Sequence, residues 1–266
     1  MAYISPQLTN IVTAIKKAAV NLNRDFSEIE HLQNSVKGSL DFAKIAFDKV
    51  EKGVRIELSK VLPNVPVMLI NDKRPKEGMY LCVSALEGIA NFAHGHSEFA
   101  ISAALMNGDT VIDGVVYNPA RDELFFAEKG KGAFKEGFRS HERLRVSAKS
   151  ELDGALVAVK PIADDEMLSA RLINNTLANC HDVRVSGSVA LDLAYVAAGK
   201  LDAVVAPMSS LASIAAGVLL VKEAGGMALD MEQADTRTED LTMVFNSGNL
   251  AAVSFNLSQK IAKILK

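Results

Sequence analysis

The chain has 266 residues, of which 49% are apolar and 23% charged, a balance that buries a core and excludes disorder. Its formal charge of −3 and pI near 6.0 argue against general attraction to a phosphate backbone, so no direct nucleic-acid partner is expected. No apolar run is long enough to span a bilayer, and Ser5-Pro6 and Lys16-Lys17 interrupt any apolar leader. A cytoplasmic protein is expected, with Cys82 and Cys180 as separate reduced thiols.

Ser5 and Pro6 read as the cap and first residue of a helix that carries Leu8, Ile11, Val12, Ile15, Ala18, Ala19 and Leu22 on one face. A second helix is predicted over about 41–61, with Phe42, Ile45, Ala46, Val50, Val54, Leu58 and Val61 at helical spacing, stopped by Pro63 and Pro66. Short apolar runs at 67–70 and 80–83 suit buried strands. The runs 99–106 and 110–117 flank Asn107-Gly108-Asp109, a hairpin signal, and Asn118-Pro119 turns into a further strand at 123–128. This middle section reads as an antiparallel meander.

Beyond it, strands and helices alternate. Strands are predicted at 155–159, 183–185, 201–205 and 242–246, and helices at 164–178, 188–198, 210–224 and 249–265. Alternation of this kind implies an α/β sheet layer. A division into an N-terminal α+β part, 1–150, and a C-terminal α/β part, 151–266, packed as one compact unit, is expected.

General motifs are sparse. There is no P-loop, GxGxxG, GxSxG or HExxH. Asp230-Met231-Glu232 reads as a solvated acidic turn, because Ala234 occupies the next ligand position of a calcium loop. His94-Gly95-His96 lacks partners at metal spacing, and Asp164-Asp165-Glu166 suits a helix start. Ser186-Gly187-Ser188 places small residues where a strand enters a helix. Such a turn serves as a plain serine cap or receives an anion on free backbone N–H groups.

Longer stretches carry more. Gly114–Pro119, Asp122-Glu123-Leu124, Ala127–Gly130 and Gly132-Ala133-Phe134 resemble the central meander of the inositol monophosphatase superfamily. The run Gly187–Asp202 is similar to its substrate-side helix, and Ala215-Ala216-Gly217 through Gly225-Gly226 to its last signature. Leu32-Gln33, Ser35, Lys37-Gly38 and Asp41-Phe42 point to the bacterial SuhB-like branch, an extragenic suppressor.

The resemblance implies a layered αβαβα sandwich, homodimers, and Mg²⁺-dependent hydrolysis of small sugar or inositol monophosphates. It also implies that several carboxylates gather two or three Mg²⁺ ions, which activate a water and neutralise the phosphoryl oxygens. Position by position, this sequence departs from that set. Asn71 stands where a metal-binding glutamate is expected. The DPxDGTTNF motif is matched by Ser84-Ala85-Leu86-Glu87-Gly88-Ile89-Ala90-Asn91-Phe92, with Ser84 and Glu87 for its aspartates and Ile89 for its first threonine. In the WDxAAG motif Ser213 replaces the aspartate, while Phe47 and Ala206 replace two further acids. Leu86 could still offer its carbonyl.

Only Glu87 keeps a carboxylate, so no catalytic residue, metal ligand or bound Mg²⁺ is expected. Asn71, Ser84, Leu86, Glu87 and Ser213 are degenerate positions, and Asn91, Gly187, Ser188 and Val189 form the remnant of a substrate site. A pseudoenzyme is expected, binding a small phosphorylated ligand or a protein of the transcription antitermination machinery. The alternative is a phosphatase whose metal site is rearranged, with Asp48 or Asp72 supplying the missing charge.

Overall fold

The computed structural model describes residues 4–32, 36–75, 77–234 and 239–266; Gln33 and Ser35 lie outside them. The Ser5 hydroxyl accepts the Leu8 N–H at 3.2 Å and starts α1 (Pro6–Leu32). Buried Leu8, Ile11, Ile15, Leu22 and Ile29 face α2 (Val36–Val61), which presents Ala46, Val50, Val54 and Leu58. The turn after α2 leads into β1 (Val67–Leu69), parallel to β2 (Met79–Glu87). From β2 the chain passes through α3 (Ile89–Ala93) to β3 (Ala100–Asn107), β4 (Thr110–Asn118), β5 (Glu123–Glu128), β6 (Gly132–Lys135) and β7 (Glu142–Arg143). All pairs from β2 onward are antiparallel, so this sheet runs in chain order, the predicted meander with two further strands.

The remaining chain builds a second sheet in the order β11-β12-β10-β8-β9. Its elements are β8 (Leu156–Val159), α4 (Glu166–Asn179), β9 (Asp182–Arg184), α5 (Val189–Ala197), β10 (Ala203–Ala206), α6 (Leu211–Glu223), β11 (Gly226–Asp230), α7 (Leu241–Ser247), β12 (Leu250–Ser254) and α8 (Ala262–Leu265). Three apolar cores separate five layers. One lies between the α1–α2 pair and the first sheet, a second holds α5 and α6 between the two sheets, and the third packs α4 and α8 on the outer face of the second sheet. This is the expected αβαβα order. Gly217 sets the closeness of the middle layer, because a Cβ there would stand 2.5 Å from the Leu193 Cβ.

Two predicted elements are corrected. Residues 242–246 form a helix, not a strand: the Asp240 carboxylate accepts the Met243 N–H at 3.0 Å, Val244 and Phe245 share a buried face, and Gly248 at φ +71° ends the turn. The helix predicted at 249–265 is reduced to its last turn. Leu250–Ser254 is a strand buried along its whole length between β10 and β11. A strand covered on both faces shows no alternation, and its Ala251-Ala252 reads as helical composition. Among the described residues, no helix is long and apolar enough to cross a membrane.

Candidate functional site

The C-terminal end of β2 carries the first cluster. Between Ser84 and Glu87 the β2–β3 register slips, and this bulge turns both side chains to one side. The Ser84 hydroxyl donates to Glu87 Oε1 at 2.8 Å. From the first turn of α6 the Ser213 hydroxyl donates to the same oxygen at 2.5 Å. Ser210 caps α6 by accepting the Ser213 N–H at 3.2 Å, and its hydroxyl lies 2.7 Å from that of Ser213. Since the Ser213 proton is directed at Glu87, Ser210 is the donor in the pair. Leu86 is buried in the bulge. Gly88 adopts φ +82°, and a Cβ there would meet the Glu98 carbonyl oxygen at 2.6 Å, so only glycine permits this exit from β2.

Lys160, immediately after β8, joins the cluster. Its ammonium donates to the carbonyls of Pro207 at 3.0 Å and Met208 at 3.2 Å, in the segment between β10 and α6. Burial pulls its pKa down, and the charge of Glu87 pushes it back up. The Ser186 turn packs against Asn91 of α3. Gly187, at φ +84°, has no room for a Cβ, which would come within 2.9 Å of Asn91 Nδ2. Asn91 spends both amide protons on backbone, donating to the carbonyls of Ser186 and Glu98 at 2.7 Å each. It clamps the turn from beneath.

The Ser188 N–H donates to Ser186 Oγ at 3.1 Å, and the Ser186 hydroxyl donates to Asp192 Oδ2 at 2.7 Å. Burial raises the Asp192 pKa to about 7, with the charge of Glu87 adding and the Ser186 hydrogen bond opposing. Ser188 is the N-cap residue of α5, yet its buried hydroxyl has no partner. Val189 packs its side chain into the middle core, leaving only backbone to face the turn. Behind Asn91 opens a cavity of about 960 Å³. The lysines and arginines that line it are already paired, Arg121 with Glu98, Arg184 with Asp182, and Lys135 and Lys200 with Glu123.

Ser84 and Glu87, from one motif, and Ser213, from another, thus meet at Glu87 Oε1, whereas Asn71 is exposed in the turn after β1. Neither neighbouring acid joins Glu87. Asp72 accepts the Leu69 N–H at 2.9 Å and pairs with Arg55 at 2.7 Å, bonds that hold its carboxyl below the usual range. Asp48 is exposed on α2, and Phe47 packs against the α1–α2 core. Asp230, predicted on a solvated turn, is buried and accepts the Glu232 N–H and the Ser247 hydroxyl. Asp165 caps α4 through the Leu168 N–H, as the acidic run predicted. No group of three or more His, Cys, Asp or Glu among the described residues could hold a metal ion. Lys160 was missed from sequence because a lone lysine after a strand carries no motif.

The profile of the Inositol monophosphatase family matches residues 6–265. Among curated relatives, an inositol-1-monophosphatase of Mesorhizobium japonicum is 39% identical over 86% of each chain. A Nus factor SuhB of Xylella fastidiosa is 30% identical over 88% of this chain and 86% of its own. In three dimensions the chain is similar to an extragenic suppressor protein suhB of Bartonella henselae, at TM-score 0.82 and 32% identity over 99% of both chains. The IMPase of Thermotoga maritima follows at TM-score 0.73 and 29% identity, over 83% of this chain and 81% of its own. The chain belongs to the inositol monophosphatase family, in the neighbourhood of its SuhB-like members.

Proposed function

We propose that this family member binds a small phosphorylated ligand at the Ser186 turn and the Glu87 cluster, and that the residues present there do not suit the family's Mg²⁺-dependent hydrolysis. The observation that carries this reading is the state of Glu87. Its Oε1 is occupied by two serine hydroxyls, both at positions where the family motif has aspartates, and its charge acts on the Lys160 ammonium. Magnesium takes near-octahedral oxygen ligands, usually with carboxylates to offset the loss of its water. One carboxylate, three hydroxyls and a neighbouring cation supply little of that charge. At an effective dielectric near 20, each carboxylate about 4 Å from a divalent ion is worth roughly 8 kcal/mol before desolvation.

The second reading, a Mg²⁺-dependent phosphatase of inositol or sugar monophosphates with a rearranged metal site, is favoured by relatives 36–39% identical that are named inositol-1-monophosphatases. Phosphate release from inositol 1-phosphate, with and without Mg²⁺ or Mn²⁺, separates the two. Metal-dependent turnover abolished by Glu87→Gln would establish the second reading and end the first.

Relatives named Nus factor SuhB support a further role for the same fold, as a protein partner in transcription antitermination. Recovery of RNA-polymerase accessory factors with the tagged chain tests it. A homodimer is the assembly we propose for either role.

A further inference from the structure

We propose that Lys160 is the cationic group of the Glu87 cluster, offering its ammonium to an oxyanion of the phosphorylated ligand in place of a divalent ion. This inference deepens the ligand-binding reading above and rests on it. An ammonium has three N–H donors, and two of those on Lys160 are spent on the carbonyls of Pro207 and Met208. Both acceptors belong to one turn, so tetrahedral geometry directs the third N–H away from that turn.

The turn itself is held for this purpose from both sides. Met208 adopts φ +47°, a conformation that is costly for a residue with a side chain. Its carbonyl is taken by Lys160, and its N–H donates to Asn249 Oδ1 at 3.0 Å. A strained residue fixed at both ends of its peptide, and aimed at a half-buried ammonium, is more than a surface lysine requires.

Three further features bear on the same cluster. Glu87 acts electrostatically on both Lys160 and Asp192, so the lysine and the first turn of α5 lie within reach of one carboxylate's charge. Ser188, at the start of α5, contributes a buried hydroxyl without a partner. The first turn of α6 presents Ser210 and Ser213, whose hydroxyls are already linked to Glu87. A phosphate oxygen bound there meets an ammonium and hydroxyls instead of the carboxylate-bound cations of the family's active members.

The test is isothermal titration of inorganic phosphate and of inositol 1-phosphate into the full chain, in EDTA and again in excess Mg²⁺. Wild type is expected to bind both probes in EDTA, with affinity changed less than about threefold by Mg²⁺. Lys160→Gln is expected to weaken binding at least about tenfold, and Lys160→Arg to retain most of it, as a charge-assisted contact requires.

If wild type binds in EDTA and Lys160→Gln binds equally well, the assignment of Lys160 is overturned while the ligand-binding reading survives. If binding requires Mg²⁺, the assignment is also overturned and the phosphatase reading gains. If neither probe binds under either condition, both readings fall. A measurement on wild type alone covers the case in which Lys160→Gln does not fold: in EDTA, inorganic phosphate should slow reductive methylation of Lys160, read by mass spectrometry, and unchanged labelling would count against the proposal.

Discussion

Ser213→Asp returns one carboxylate to a position where the family motif has it, and its consequence can be worked from the geometry. Ser213 Oγ stands 2.5 Å from Glu87 Oε1, so the new carboxylate replaces a hydrogen-bond donor with a like charge. Two such charges about 4 Å apart repel by roughly 4 kcal/mol at an effective dielectric near 20. Rotation of the side chains and the nearby Lys160 reduce this to about 2–3 kcal/mol. For a chain of this size that lowers the melting temperature by roughly 5–10 °C at pH 8.

The sign with pH follows from sharing a proton. The pair raises the folded-state pKa of one carboxyl above its ordinary value, so the folded state binds the extra proton more tightly than the unfolded chain. The penalty is therefore absent below about pH 4 and grows as pH rises. A divalent ion between the two carboxylates relieves the same repulsion, so 10 mM Mg²⁺ should restore stability to Ser213→Asp at pH 8 and leave wild type where it was. Thermal melts at pH 4.5 and 8, each in EDTA and in Mg²⁺, read all four states. A variant that melts like wild type under every condition would refute the contact between residue 213 and Glu87 on which the reasoning stands.

Three other outcomes follow from the same structure. Asp192, with its pKa raised to about 7 by burial, holds a proton in the folded state that the unfolded chain releases near pH 4, so its contribution falls as pH rises between those values. Asp192→Asn should flatten that slope, gaining stability relative to wild type at pH 8 but not at pH 4, by denaturant titration. Asn91→Ala removes two 2.7 Å hydrogen bonds to backbone carbonyls and should cost about 2–4 kcal/mol in the same assay, weakening phosphate binding as the Ser186 turn loosens. Burial pushes the Cys82 thiol up to about 12 and the Cys180 thiol to about 11, so the folded chain should label slowly with Ellman's reagent, Cys180 before Cys82, and rapidly once unfolded.

Much of the fold was legible because its elements are amphipathic or punctuated. The spacing of Leu8, Ile11 and Ile15, the hairpin at Gly108-Asp109 and the glycines after α5 and α6 each mark one local event. The reading failed where burial is complete on both faces, as in Leu250–Ser254, and where a single cap decides, as Asp240 does for α7. The site was legible only as a set of substituted positions. That Ser84 and Ser213 would meet on one oxygen of Glu87 depends on the β2 bulge and on how α6 lies against the first sheet, and neither is a local property of the chain. Lys160 and the backbone clamp by Asn91 were invisible for the same reason, since their partners lie on distant segments.

The most direct test is calorimetric titration of Mg²⁺ and Mn²⁺ into the wild-type chain in the presence of inorganic phosphate. A site with one carboxylate, already bonded to two serines, should give no saturable heat at low-millimolar metal. Two or more ions binding with phosphate, and lost on Glu87→Gln, would contradict the account.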